Sequence, residues 1–230
     1  MTTPLASSAP QNAHIVGQPV LVVVDIQGGS GQSAPGEGGI PIMGGRAERG
    51  PRQRALVDAA RAAGVPVVFI QEVHKPSLID IGRELDGVEG PHCIEGDDGT
   101  ELASWLEPRP EEFVVRKRRY SAFFGTELEI VLKAYKAETL ILIGGLTDVC
   151  IHYTFVDAHQ HDYRVRVIQD AVGGSSERAH TASLEAISYL QRDALVDTAD
   201  VLAFFETETE AEAETETETA ASGADPVPMR

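Results

Sequence analysis

The stretch Leu140-Ile-Leu-Ile-Gly-Gly-Leu-Thr-Asp-Val-Cys150 decides how this chain folds. An apolar run with no polar break reads as a strand buried on both faces, and two glycines end it. Cys150 follows five residues after Gly145, where a helix is expected to begin. Unpaired backbone N–H groups and aligned peptide dipoles make a helix start electropositive, which favours thiolate over thiol. A buried small hydrophobe is the other common use of a free cysteine. Charged partners elsewhere in the chain separate the two readings.

Two such partners end similar runs. Pro19-Val-Leu-Val-Val-Val-Asp-Ile-Gln27 is a second unbroken apolar stretch and delivers Asp25. Open parallel sheets place their ligand sites beyond the carboxyl ends of their strands, so Asp25 is expected to face a cleft. Phe113-Val-Val-Arg-Lys-Arg-Arg-Tyr-Ser-Ala-Phe-Phe-Gly-Thr126 supplies Lys117 from a third strand end. Singly, Asp25 could cap a loop and Lys117 could be one solvated charge in a basic run. Together they set a carboxylate, a cation and a thiol on three strand ends.

Further strands are expected at Val65 to Gln71, Val165 to Asp170 and Leu202 to Phe205, beside Val20 to Asp25, Phe113 to Val115 and Thr139 to Ile143. Helical spacing of three and four marks Ala47 to Ala63 and Thr126 to Ala137, and Cys150 to Gln160 and Glu177 to Gln191 would be the helices of the next two units. Gly64 stops the first helix. The alternation predicts a single α/β domain over residues 18–205: three layers, α/β/α, around a mostly parallel sheet with right-handed crossovers. Residues 1–17 are expected to form a loose arm. Residues 206–230 begin with seven glutamates and no base between Glu206 and Glu218, a composition expected to stay disordered.

A further cluster lies in Phe69-Ile-Gln-Glu-Val-His-Lys-Pro76 and Gly90-Pro-His-Cys-Ile-Glu-Gly96. Glu72 and His74 are two apart, so an extended backbone puts them on one face, and His92 could complete a site. Carboxylate and imidazole ligands suit zinc, manganese or iron(II). Hydrogen bonding of both histidines within a loop is the alternative. His159 and His161 point to different faces of a helix and read as a solvated end. Gly28 to Gly39 lacks the spacing of a phosphate loop and reads as a flexible loop near the cleft. Arg83 could clamp a substrate carboxylate or pair on the surface with Glu84 or Asp86. Cys93 has no partner spacing and reads as structural.

These motifs, between about Pro19 and about Leu202, resemble the isochorismatase-like cysteine hydrolases, which include nicotinamidases, N-carbamoylsarcosine amidohydrolases and ureido-compound hydrolases. The carriers are Val-Val-Val-Asp-Ile-Gln around Asp25, Lys-Arg-Arg-Tyr-Ser-Ala-Phe-Phe-Gly-Thr from Lys117, and Gly145-Leu-Thr-Asp-Val-Cys150 with Ile-His-Tyr-Thr and Asp157-Ala after it. The resemblance implies a Rossmann-like topology, with Asp25 as general base, Lys117 as the cation that stabilises the thiolate and Cys150 as nucleophile. It also implies a cis peptide at Gly145-Leu146 that aims the N–H groups of Leu146 and Cys150 at an oxyanion. The expected reaction is hydrolysis of a C–N bond in a small amide, carbamoyl or ureido compound through a thioester. Nicotinamidases carry Asp-x-His and Pro-His-Cys where this chain has Glu72-Val-His74 and Pro91-His-Cys93. The resemblance therefore implies a divalent metal on Glu72, His74 and His92, and nicotinamide as substrate if that site is real. Homo-oligomers are implied as well. A non-catalytic member that binds a ligand or partner, and a redox-sensing thiol whose reactant is peroxide, are readings of other classes.

Composition sets the remaining expectations. Two cysteines, no apolar run able to span a bilayer and no charged-then-apolar leader point to a cytoplasmic enzyme with a small-molecule substrate and no membrane partner. The net charge of −17 would repel phosphates, so nucleic acid is not an expected partner. Without the seven tail glutamates the remainder is still about −10, and only four of the 19 basic residues are lysines. A salt-rich cytoplasm, as in a halophile, is one origin for such a surface, and an ordinary acidic bacterial enzyme is the other.

Overall fold

A computed structural model describes residues 14–30 and 40–221, with side chains as far as Glu210. The strands are β1 (Pro19–Val24), β2 (Val67–Glu72), β3 (Phe113–Lys117), β4 (Thr139–Gly145), β5 (Arg164–Gly173) and β6 (Leu195–Val196). The helices are α1 (Arg46–Ala62), α2 (Leu128–Ala134), α3 (His152–Gln160), α4 (Glu177–Leu190) and α5 (Thr198–Ala221). One sheet joins all six strands in the order β3-β2-β1-β4-β5-β6, and every pairing is parallel.

The apolar runs behave as two-sided strands because alternate residues feed opposite layers. Val20, Val22 and Val24 of β1 pack with Leu140 and Leu142 of β4, Leu128 and Leu132 of α2, Phe155 of α3 and Ile187 of α4. Leu21 and Val23 pack with Ile141 and Ile143, with Leu56 and Ala60 of α1, and with Val201 and Phe205 of α5. The result is the expected three-layer α/β/α arrangement. The chain runs outward from β1 through β2 to β3, then crosses back to β4, and a sheet of this order opens a crevice at the carboxyl ends of its two central strands. Gly144, at φ +116°, makes the close approach there: a Cβ would lie 1.9 Å from the Val24 carbonyl oxygen.

Three expectations about the chain ends change. Leu202 to Phe205 belongs to α5, and the sixth strand is Leu195–Val196. A short apolar run does not declare its period, whereas the residues before it do: the Asp200 carboxylate accepts the Asp197 N–H at 3.4 Å, and the Thr198 N–H donates to Asp170 Oδ1 at 2.9 Å. The acidic segment from Glu206, expected to be disordered, continues α5 as far as Ala221. Once Val201 and Phe205 anchor the first turns, glutamate and alanine propagate a helix readily. At the other end His14 to Gly17 are tied down rather than loose, because Thr139 Oγ1 donates to the Val16 carbonyl at 2.7 Å and Arg166 donates to the His14 carbonyl at 2.6 Å. Residues 1–13 and 222–230, and 31–39 of the glycine-rich loop, lie outside the described residues.

Candidate active site

Asp25 leaves β1 with φ +49°, a conformation that aspartate tolerates better than most residues. Its Oδ1 accepts the Glu72 N–H at 3.0 Å, and its Oδ2 lies 2.9 Å from Lys117 Nζ. Lys117 is fully buried at the end of β3, in register with Glu72 at the end of β2. Its ammonium donates to Glu72 Oε2 and, at 3.4 Å, to Cys150 Sγ. Cys150 does not open a regular helix: residues Thr147–Ile151 form one π turn, and α3 begins at His152. Asp148 accepts Ser175 N–H at 2.8 Å and Ser175 Oγ–H at 2.5 Å, and Thr147 Oγ1 meets His180 Nδ1 at 2.9 Å, so the turn is fastened to the loop after β5 and to α4. The peptide Gly145-Leu146 is cis, as the resemblance implied.

The three groups expected to meet therefore do meet, with Glu72 as a fourth member. Burial pushes the Cys150 thiol well above its ordinary pKa; Lys117 pulls it down, but Asp25 and Glu72 push it up again. Asp25 is pushed up to about 6, chiefly by burial, with Lys117 opposing and Glu72 assisting. Burial would raise Glu72 too, but Lys117 and the hydrogen bonds from His74 and His92 outweigh it and hold this carboxyl well below its usual range. Two neighbouring carboxylates are in this way driven apart.

Glu72 also joins the second cluster. Its Oε1 lies 2.9 Å from His92 Nε2 and 3.3 Å from His74 Nε2. A residue that the spacing did not single out, Glu84, completes the group: its Oε2 is 3.3 Å from His74 Nε2 and 3.5 Å from His92 Nε2. Arg83 makes the surface pair expected with Glu84 or Asp86: it meets Asp86 at 2.7 Å in solvent, while a 3-10 turn at Glu84–Asp86 carries Glu84 inward. Donor atoms of Glu72, His74, Glu84 and His92 all lie within 4.8 Å of one another, and all four residues are buried. Both Glu84 oxygens lack hydrogen-bond partners. Buried, under-satisfied oxygens beside two imidazoles fit a divalent cation. With protons in place of metal, burial works against His92, yet the two carboxylates push it up to about 10.

A cavity of about 370 Å³ lies over this arrangement, lined among others by Asp25, Glu72, His92, Leu146 and Cys150. His74, Glu84 and Lys117 sit behind that lining, since none of them is part of it. Cys93 lines the cavity as well, but burial pushes its thiol up and holds it protonated. His159 and His161 are exposed, as expected for a solvated helix end. The Tyr-Ser-Ala segment after Lys117 has a supporting place: Ser121 Oγ donates to Asp157 at 2.5 Å and the Ala122 N–H to Thr154 Oγ1 at 3.0 Å, locking the Lys117 loop onto α3.

Comparison with known proteins bears on the family and the fold. Residues 19–200 match the isochorismatase domain. The ureidoacrylate amidohydrolase RutB of Methylobacterium radiotolerans is 31% identical over 191 residues, 73% of this chain and 72% of that protein. Other curated relatives, such as RutB of Rhizobium rhizogenes at 29% identity, are spanned for about half their length (54%). Among solved structures, a cysteine hydrolase from Pseudomonas syringae pv. phaseolicola superposes with a TM-score of 0.69 at 26% identity, covering 90% of this chain and 100% of that one. Nicotinamidase PncA from Bacillus subtilis gives a TM-score of 0.66 at 26% identity, covering 79% of this chain and 100% of that one. By its sequence profile, its sheet order and the groups at the ends of its strands, the chain belongs to the isochorismatase family.

Proposed function

We propose that the chain is a cysteine-dependent amidohydrolase that cleaves a C–N bond in a small amide, carbamoyl or ureido compound. The observation that carries this reading is one buried ammonium, Lys117, shared between the Asp25 carboxylate at 2.9 Å and the Cys150 sulfur at 3.4 Å, with Asp25 and Cys150 lining a cavity and Lys117 behind them. Asp25, pushed up to about 6, accepts the thiol proton as the sulfur adds to the carbonyl carbon. Lys117 stabilises the charge on sulfur, and the N–H groups of Leu146 and Cys150 receive the oxyanion. Protonated Asp25 then returns its proton to the leaving nitrogen, ammonia or an amine departs, and a thioester remains. Asp25 activates water to hydrolyse it. Glu72 stays ionised throughout and keeps Lys117 charged, so the two carboxylates divide the work.

The test is ammonia release from nicotinamide, maleamate, N-carbamoyl amino acids and biuret by wild type and Cys150→Ala. Release that depends on the cysteine supports the proposal; no release from any compound by folded protein moves the weight to ligand binding or thiol redox chemistry.

The four-donor cluster favours a second reading, nicotinamide as substrate. Glu72, His74, Glu84 and His92 would hold a divalent ion, which when bound supplies a Lewis acid to a ring nitrogen or to water. Equilibrium dialysis with zinc and manganese, comparing wild type with His74→Ala, tests the site separately from turnover.

A further inference from the structure

We propose that Arg46 and Arg49 form a carboxylate-binding subsite in the cavity beside Cys150, so that the preferred substrates are amides or ureido compounds carrying a negative charge. The inference rests on Cys150 being the nucleophile, and it narrows the substrate class of that site.

Both arginines line the same cavity as Asp25 and Cys150. They stand three apart at the start of α1, on one face of the helix. Glycines shape the bed of each guanidinium. Arg46 Nη2 donates to the Gln27 carbonyl at 3.1 Å, and a Cβ at Gly28 would come within 2.8 Å of it. Arg49 donates to the Gly44 carbonyl at 2.6 Å, and a Cβ at Gly173 would lie 2.6 Å from its Cζ. Gly28 follows β1, Gly173 ends β5, and β4 runs between those two strands with Gly145 in register with Gly173. The two cations thus flank the strand end that leads through Leu146 to Cys150.

Among the described residues their charge meets no ion-pair partner, although acids outnumber bases 36 to 19 in this chain. Other arginines found partners: Arg61 with Glu112, Arg118 with Asp80 and Arg52 with Asp170. Arg49 is only 9% exposed and makes its hydrogen bonds to backbone carbonyls, with Glu48 and Glu177 acting on it at longer range. A buried, unpaired guanidinium facing a cavity is costly unless an anion completes it. Paired forks of N–H donors match a carboxylate. Asp25, Glu72, Glu89 and Asp97 also line the cavity, so a singly charged carboxylate fits it better than a phosphate. The substrate would span from the reacting carbonyl at Cys150 to its carboxylate at the arginine pair.

The experiment is calorimetric binding of 3-ureidopropionate and n-propylurea to full-length Cys150→Ala, which cannot turn the ligand over. The two probes have the same chain length, with a carboxylate in one where the other has a methyl. Affinity for 3-ureidopropionate about tenfold or more above that for n-propylurea is expected. Arg49→Gln or Arg46→Gln in the same background should abolish most of that ratio, while Arg49→Lys restores part of it. Arg46 is exposed and its variant guards against misfolding of the Arg49 one. Equal affinities, no binding of 3-ureidopropionate, or a ratio that survives both glutamine variants overturns the subsite. A ratio that behaves as expected, in a wild-type enzyme that releases no ammonia from any amide, upholds the subsite and overturns the amidohydrolase reading instead.

Discussion

Glu72 is the residue on which the two clusters meet. One more methylene than the aspartate of the nicotinamidase pattern lets Oε1 reach the histidines while Oε2 reaches Lys117. Its charge helps keep the Asp25 pKa high, which makes the pH profile informative. Catalysis as proposed needs Asp25 unprotonated, so kcat/KM in wild type should fall about tenfold per pH unit below about 6. Glu72→Gln removes the neighbouring negative charge and leaves Lys117 to Asp25 alone. The Asp25 pKa then drops, and the acid limb moves to lower pH, read from initial rates between pH 4 and 8. An acid limb that stays in place would remove Asp25 as the titrating base. Asp25, Lys117 and Cys150 were legible in the sequence because each closely follows an apolar run. Glu84 was not, since its neighbours Arg83, Leu85 and Asp86 give no period and read as a solvated turn. Arg46 and Arg49 were equally silent: two arginines at a helix start look like solvent-facing charges until the glycines beneath them are seen.

At the scale of elements, α1 is stapled to the segment before β3. Arg61 Nε and Nη2 meet the two Glu112 oxygens at 2.8 and 2.7 Å, and Nη2 also donates to the Leu106 carbonyl at 3.0 Å. Both side chains are about nine-tenths buried, at 10% and 8% exposed. Arg61→Ala leaves a carboxylate buried without its cation and should cost about 3 kcal/mol, measured by urea denaturation at pH 7. Burial pushes Glu112 up, but Arg61 and the Arg109 N–H outweigh it and lower its pKa in the fold. Stability from this pair is therefore present above the ordinary carboxyl value of 4.5 and is lost as pH falls toward the lowered one; Arg61→Ala should flatten that acid dependence. The α5 helix divides at Glu206. Phe205, 1% exposed, packs against α1 and the sheet, and Phe205→Ala should cost about 3 kcal/mol or more. Strands were legible wherever both faces are apolar. The α5 run was not, because four apolar residues fit either period and the start signal at Asp197 decided it.

Over the whole molecule, 17 net negative charges repel one another, and salt screens them within about 10 Å at 0.1 M. Raising potassium chloride from low to molar concentration should therefore raise the thermal midpoint, and a midpoint that does not move would argue against adaptation to a salt-rich cytoplasm. None of the described helices is long and apolar enough to cross a membrane. Alternation of strands and helices made the parallel sheet legible. The order of strands was not, because sequence carries no mark of which neighbour β4 chooses; that choice places β4 beside β1 and closes Cys150 onto Asp25.

A wholly parallel sheet has a front and a back. Asp25, Glu72, Lys117 and the Cys150 turn all lie at the front, at or just past the strand ends. At the back, among the described residues, backbone hydrogen bonds tie the strand starts together: the Glu138 N–H donates to the Gln18 carbonyl at 2.9 Å and the Arg164 N–H to the Glu138 carbonyl at 3.0 Å. An engineer could rebuild that rear surface, graft a tag there or fix it to a support, without touching the groups proposed to react.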